Sequence, residues 1–243
     1  MAETLLTILT AHLLGDFILQ TDWMVKHKQH FGVLLLHASI VTTVSYLLLG
    51  AFHWQILLVI FLMHFGIDAI KVCRMADSLL LFLIDQCVHL LVLVGLAGLF
   101  ADTATSGWWG TSLQSELYEW YFASMSLLSG LILAVPAGGI LVGKAINPLM
   151  KEIGDDDIKG LEKGGQYIGW LERFLVLLLL LINQPTGIGF LIAAKSILRF
   201  GEIKDTGQRK VAEYIIIGTF LSFSWALLIS VLTQRVIQYW LSS

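Results

Sequence analysis

The stretch SLLLFLIDQCVHLLVLVGLAGLF, residues 78–100, decides the fold. Its 23 residues are apolar almost throughout, broken inside by Asp85, Gln86 and His89. An apolar run of about 18 residues or more is long enough to cross a bilayer as a helix. A lone strand would leave its backbone groups unpaired in hydrocarbon, so the run is predicted helical. Seven further segments read the same way, at residues 4–21, 33–51, 54–71, 122–146, 166–183, 186–200 and 211–233. The expected fold is all-α, a polytopic transmembrane bundle of about eight spans. The segment at 186–200 is the shortest and is expected either to span barely or to re-enter.

Composition agrees. Of 243 residues 57% are apolar, and 33, or 14%, are charged, about half the usual share of roughly 25%. Membrane lipid is the expected partner. A net charge of -3 offers no basic excess for nucleic acid phosphates, which excludes that partner class. Two cysteines, Cys73 and Cys87, are too few and too scattered for a disulfide framework or a metal knuckle. The first apolar run starts almost at Met1 without the pattern of a cleaved leader and is read as a retained span.

With eight spans, alternate loops share a side. Lys26, Lys28, Lys71, Arg74, Lys144, Lys151, Lys159, Lys163, Arg199, Lys204, Arg209 and Lys210 then fall together, 12 of the 15 basic residues. The positive-inside rule makes that side cytoplasmic and puts both termini outside, in a bacterial inner membrane. The opposite loop, Ala101 to Tyr121, has no Lys or Arg but carries Trp108, Trp109, Tyr118, Trp120 and Tyr121, as an interfacial belt does. The chain divides into a four-span half at 1–101, an outer loop at 102–121 and a second four-span half at 122–243. In span five, Pro136 with Gly138 and Gly139 predicts a kink, and Gly139 with Gly143 a face for close helix contact.

The first half repeats itself. An offset of 52 superposes His12 on His64, Asp16 on Asp68 and His37 on His89. The spans concerned run in the same direction, so the two-helix units form a parallel repeat. Spacing i, i+4 pairs His12 with Asp16, His64 with Asp68 and Asp85 with His89 on their helix faces. At about 1.5 Å per residue, all seven lie between about 5 and 16 Å from the cytoplasmic ends of their spans. Ionisable groups at that depth face the bundle interior and neutralise one another or bind a cation.

Two histidines and a carboxylate per repeat suit a divalent metal, zinc first and manganese or iron(II) next. The candidate ligands are His12, Asp16, His37, His64, Asp68 and His89, two sets facing across a pseudo-two-fold axis. Asp85 is the candidate catalytic residue, able to bridge two metals, to act as a general base or to orient His89. The bland alternative is polar contact between helices, with Lys71 paired to Asp68. Cys87 is expected to turn away into the core, and His27, His30 and His53 to sit in ordinary loops.

The second half carries Glu172 and Arg173, Lys195 and Arg199, then Glu202 and Glu213, at the inner ends of its spans. These are read either as interhelical salt bridges or as a substrate site in which Arg173, Lys195 and Arg199, with Glu172 and Glu213, hold an anion. Asp155, Asp156 and Asp157 lack the spacing of a calcium loop and read as solvated. No GxSxG, GxxxxGK[ST], HExxH or SxxK motif occurs.

HLLGDFILQTDWM from His12 to Met24, LLLH ending at His37, HFGIDAIK from His64 and DQCVH from Asp85 together resemble the bacterial domain-of-unknown-function family 3307. The resemblance covers roughly the first 100 to 120 residues. IGWLER, AAKSILRFGE and EYIIIGT look like the longer members. The likeness implies a membrane setting and supplies no mechanism. A looser similarity, in His and Asp on early spans, is to membrane-bound metal-dependent hydrolases. Three functions fit: a hydrolase at the cytoplasmic leaflet acting on an anionic, phosphate-bearing lipid, a divalent-cation or proton-coupled transporter, and a metal-stapled scaffold or sensor.

Overall fold

The computed structural model describes residues 1–74, 78–153, 163–200 and 209–242. These are helical, with turns between, and no strand occurs among them. Twelve α-helices follow in order: α1 Ala2–Leu14, α2 Asp22–Lys26, α3 Phe31–Leu49, α4 Trp54–Arg74, α5 Leu79–Leu99, α6 Thr103–Ser106, α7 Trp108–Ser112, α8 Ser115–Ile132, α9 Gly138–Ile153, α10 Gly164–Leu181, α11 Thr186–Phe200 and α12 Arg209–Leu241. Two π turns interrupt this series, Gly15–Leu19 after α1 and Leu133–Ala137 between α8 and α9.

Among the described residues seven helical stretches are long and apolar enough to cross a membrane: Ala2–Leu19, Phe31–Leu49, Trp54–Val72, Leu79–Leu99, Ser115–Glu152, Gly164–Leu181 and Lys210–Leu241. The chain is a multi-pass membrane protein. The eighth expected span is α11, whose apolar part, Thr186–Ile197, is shorter. Its 15 residues reach about 22 Å, against a hydrocarbon core of about 30 Å. Lys159, Glu202, Lys204 and the Asp155 to Asp157 loop lie outside the described residues.

The chain forms two compact units, Met1–Ile132 with Val236–Ser243, and Leu133–Arg235. In the first, α1 packs against α3, α5 and α8. Its central place shows in its burial: Thr4, Thr7, Ile8, Thr10 and Ala11 are fully enclosed. The threonines tolerate an apolar setting because Thr4 donates to the Ala101 carbonyl, Thr7 to that of Glu3 and Thr10 to that of Leu6. Ile8, Val41, Ile56, Ile60, Leu93, Leu96 and Phe122 fill the core. Leu91 and Leu99 stay exposed as lipid-contact side chains.

The aromatic loop caps α3. A helix end leaves its last carbonyls without intrahelical partners. Trp109 Nε1 donates to the Leu47 carbonyl at 2.8 Å, the Tyr121 hydroxyl to that of Leu48 at 2.6 Å and the Trp108 amide to that of Gly50 at 2.6 Å. Gly50 sits at φ 63°, the left-handed conformation that ends helices, and a Cβ there would strike Trp108 and Trp109.

Gly15, at the start of the first π turn, sets how closely α1 approaches α3. A Cβ there would lie 2.5 Å from Val41 Cγ2, on a stiff β-branched side chain. Gly15→Ala is therefore expected to destabilise the protein by about 1–3 kcal/mol, the usual range for overpacking. Adding Val41→Ala should recover part of that. Thermal unfolding in detergent measures both, with Gly66→Ala as the control because nothing lies within 4 Å of that position. An unchanged melting temperature in Gly15→Ala would contradict the close crossing.

Candidate metal centre

Five helical elements bring the seven ionisable residues together. α1 supplies His12, the π turn Asp16, α3 His37, α4 His64 and Asp68, and α5 Asp85 and His89. Residue exposure is only 1 to 4% for His12, His37, His64, Asp68, Asp85 and His89. The three i, i+4 pairs form as the spacing predicts: His12 Nε2 is 3.8 Å from Asp16 Oδ2, His64 Nε2 3.6 Å from Asp68 Oδ2 and His89 Nδ1 3.7 Å from Asp85 Oδ1.

Four ligand atoms converge most tightly. His37 Nε2 and His64 Nε2 lie 2.9 Å apart. Asp16 Oδ1 is 3.2 Å from the first and 3.3 Å from the second, and Asp68 Oδ2 is 3.5 and 3.6 Å from them. Ligands about 2.0–2.2 Å from a tetrahedral zinc ion would sit about 3.3–3.6 Å from one another. Three of the five separations fall in that range and one lies just under it, while His37 and His64 stand closer, at 2.9 Å, as hydrogen-bonded rings. The atoms also need a partner: Asp16 Oδ1, Asp68 Oδ2, Asp85 Oδ1 and His89 Nε2 are buried without a hydrogen bond. His89 Nδ1 is hydrogen bonded to the Asp85 backbone carbonyl at 2.9 Å. That contact leaves the other ring nitrogen free as a ligand, the usual arrangement in metal-binding histidines.

The two repeats interleave and do not form two facing sets. Candidate groups are His12–Asp16–His64, His37–His64–Asp68 and Asp68–Asp85–His89, each with one ligand atom per residue and all within 4.8 Å. His64 joins the first two groups because its imidazole stands amid the others, with ring centroids 5.6 Å from His12, 4.8 Å from His37 and 4.6 Å from His89.

The lysine pairing differs from the sequence expectation. Lys71 bonds Asp85 Oδ2 at 2.5 Å and not Asp68, because Asp68 is taken by Lys28, whose Nζ lies 2.8 Å from Oδ2. The Lys28 contact is an ion pair without hydrogen-bond alignment. Gln86 Nε2 donates to Asp85 Oδ2 at 3.2 Å and to Asp16 Oδ2 at 3.5 Å. Sequence reasoning missed Lys28 and Gln86. Lys28 looked like any loop lysine, whereas the position of Gln86 beside Asp85 inside an apolar run was a usable signal. Cys87 turns from the cluster as expected, but it is exposed and not in the core. His27 caps its own turn on the Trp23 carbonyl, and His53 packs on Phe100.

Next to the cluster, a small cavity is lined by His12, His64 and His89 together with Ile8, Val41, Ile60, Val92 and Leu93. The polar groups thus end against aliphatic core.

In the second unit the charges serve helix packing. Lys195 Nζ donates to Glu172 Oε2 at 2.6 Å, the interhelical ion pair that was one of the two expectations. Arg173, buried on α10, donates through Nε to the Val135 carbonyl at 3.3 Å and through Nη1 to Ser222 Oγ at 3.0 Å. Trp225 Nε1 donates to the Leu133 carbonyl at 2.8 Å. Both carbonyls belong to the π turn that holds Pro136, where a missing N–H disturbs the helical ladder. In hydrocarbon backbone carbonyls depend on internal partners, and Arg173 and Trp225 give these two side-chain donors. Gly139 and Gly169 flank the guanidinium, since a Cβ at either would lie within about 3.0 Å of it. Gly139 thus makes room for Arg173, not for the expected close helix contact. The Arg199 side chain lies outside the described residues, and Glu213 is exposed on α12.

Residues 4–121 match the family model described as "Protein of unknown function (DUF3307)". That segment holds every member of the His/Asp cluster. No curated protein and no solved structure matches the chain.

Arg173→Lys should lower the melting temperature in detergent, because one ammonium cannot reproduce the two-sided guanidinium contact. Leaving a buried carbonyl unpaired costs about 1–3 kcal/mol. An Arg173→Lys protein as stable as wild type would show that the guanidinium does not hold the π turn.

Proposed function

We propose, for a chain whose residues 4–121 match the model of a family of unknown function, that the His/Asp cluster is the centre of a metal-dependent membrane hydrolase. The observation that supports this most is the convergence of Asp16, His37, His64 and Asp68 at separations of 2.9 to 3.6 Å, with carboxylate oxygens left unbonded. Zinc suits the donor set best, with manganese or iron(II) next, and His12 and His89 complete it. A divalent ion held there supplies Lewis acidity toward a polarised ester and its attacking water. Asp85 is the catalytic carboxylate, since Oδ2 is tied to Lys71 while Oδ1 is free toward the cluster.

The substrate class follows from the mouth of the site. Lys28 and Lys71, on Asp68 and Asp85, are the ammonium groups beside the centre, with side-chain exposures of 14 and 34%. They suit an anionic group, and a site between membrane helices suits an amphiphile. A phosphate-bearing lipid ester, met at the cytoplasmic leaflet, combines the two. Arg173 is held by Val135 and Ser222, and Lys195 by Glu172, within their own unit.

Transport is the second reading, and the enclosed file of Thr4, Thr7 and Thr10 on α1 is the observation in its favour. Those hydroxyls, however, donate to backbone carbonyls, and the cluster ends on aliphatic side chains. Both features fit a one-sided centre better.

Purified protein supplied with zinc or manganese should release phosphate from vesicles containing phosphatidic acid. A chelator should abolish the release. Asp85→Asn should slow it about 10–100-fold, the usual cost of disturbing a carboxylate that supports a metal centre. Turnover that survives both chelation and His64→Ala would contradict the assignment, and metal flux into proteoliposomes without turnover would favour transport.

A further inference from the structure

We infer that the centre holds two divalent ions, bridged by Asp68, and that Asp85 acts by ligating the second. This rests on the metal-centre reading above and deepens it.

Seven ligand side chains exceed what one ion of four to six ligands can use. How the three groups overlap shows how they divide. His12–Asp16–His64 and His37–His64–Asp68 share His64, whose Nε2 lies 3.3 Å from Asp16 Oδ1 and 2.9 Å from His37 Nε2 and so faces both groups. An imidazole nitrogen has a single lone pair, so those groups describe one position. Groups His37–His64–Asp68 and Asp68–Asp85–His89 share only Asp68. A carboxylate has two oxygens and can serve two ions at once. The cluster therefore resolves into a first position at His12, Asp16, His37, His64 and Asp68, and a second at Asp68, Asp85 and His89.

Each ligand of the second position has an atom to give. Asp85 Oδ1 and His89 Nε2 are buried and unbonded, while Asp85 Oδ2 is fixed by Lys71 and His89 Nδ1 by the Asp85 carbonyl. Anchoring one atom of a side chain and leaving the other free orients a metal ligand before the ion arrives. Lys28 on Asp68 and Lys71 on Asp85 supply positive charge next to the two carboxylates of this position. Two ions sharing a carboxylate would stand about 3.5–4 Å apart, the spacing that clamps an ester between attacking and leaving oxygens.

The test is metal stoichiometry of the purified full chain in detergent, stripped with chelator, reloaded with manganese and desalted. The expected result is two ions per chain, with a spin-coupled manganese pair by electron paramagnetic resonance. Asp85→Asn and His89→Ala should each retain one ion and give the signal of isolated manganese. One uncoupled ion in wild type would overturn the second position and leave the single-ion reading standing. Zero ions would sink both. An Asp85→Asn protein that keeps a coupled pair would show that Asp85 is no ligand. If that variant fails to fold, wild-type stoichiometry and coupling still decide.

Discussion

A carboxylate has no stable place in hydrocarbon unless something within the protein answers its charge, and three of them, Asp16, Asp68 and Asp85, lie at one level of the first unit. Much of that unit follows from this constraint. α1, a central helix with carbonyl-bonded threonines, ends in a π turn at the point where Asp16 is needed. The turn begins at Gly15, whose missing side chain lets α1 close on α3 and brings Asp16 within 3.2 Å of His37. π turns inside α-helices often occur at functional sites, because the extra residue re-aims side chains. Here one aims a carboxylate. Lys28 and Lys71 answer two of the charges, yet buried lone pairs remain in the middle of the cluster. Buried polar groups are ordinarily satisfied, and such a remainder calls for a cation.

The second unit meets the same constraint with protein groups alone. Pro136 lies in a π turn of a membrane helix, and a buried guanidinium and an indole donate to two carbonyls of that turn. The Glu172 and Lys195 side chains neutralise each other. The contrast between the units carries the functional argument: one arrangement of buried polar groups closes on itself, and the other leaves ligand atoms pointing at a common centre.

Much of this was legible in the sequence. Apolar runs gave seven of the spans, since bilayer thickness sets helix length almost independently of packing. They also set apart the segment that became α11, whose 15 residues are apolar but short. The i, i+4 rule placed His12 with Asp16, His64 with Asp68 and Asp85 with His89, because those pairings depend only on helix geometry. Partners across helices were not legible. Lys71 was expected on Asp68 by the same local rule, but α5 packs against α4 and offers Asp85, while Asp68 goes to Lys28 from the segment before α3. The interleaving of the repeats around His64 and the tie from Arg173 to Val135 are likewise facts of packing, to which an offset of 52 or a charged helix end gives no clue.

The central claim is that the His/Asp cluster exists to hold a metal ion. X-ray absorption at the zinc edge, on protein isolated from membranes without added metal or chelator, tests it most directly. The account predicts a bound metal with nitrogen and oxygen neighbours at about 2.0–2.2 Å and the outer-shell scattering of at least two imidazoles. Chains free of zinc, manganese and iron that bind none on reloading would contradict it.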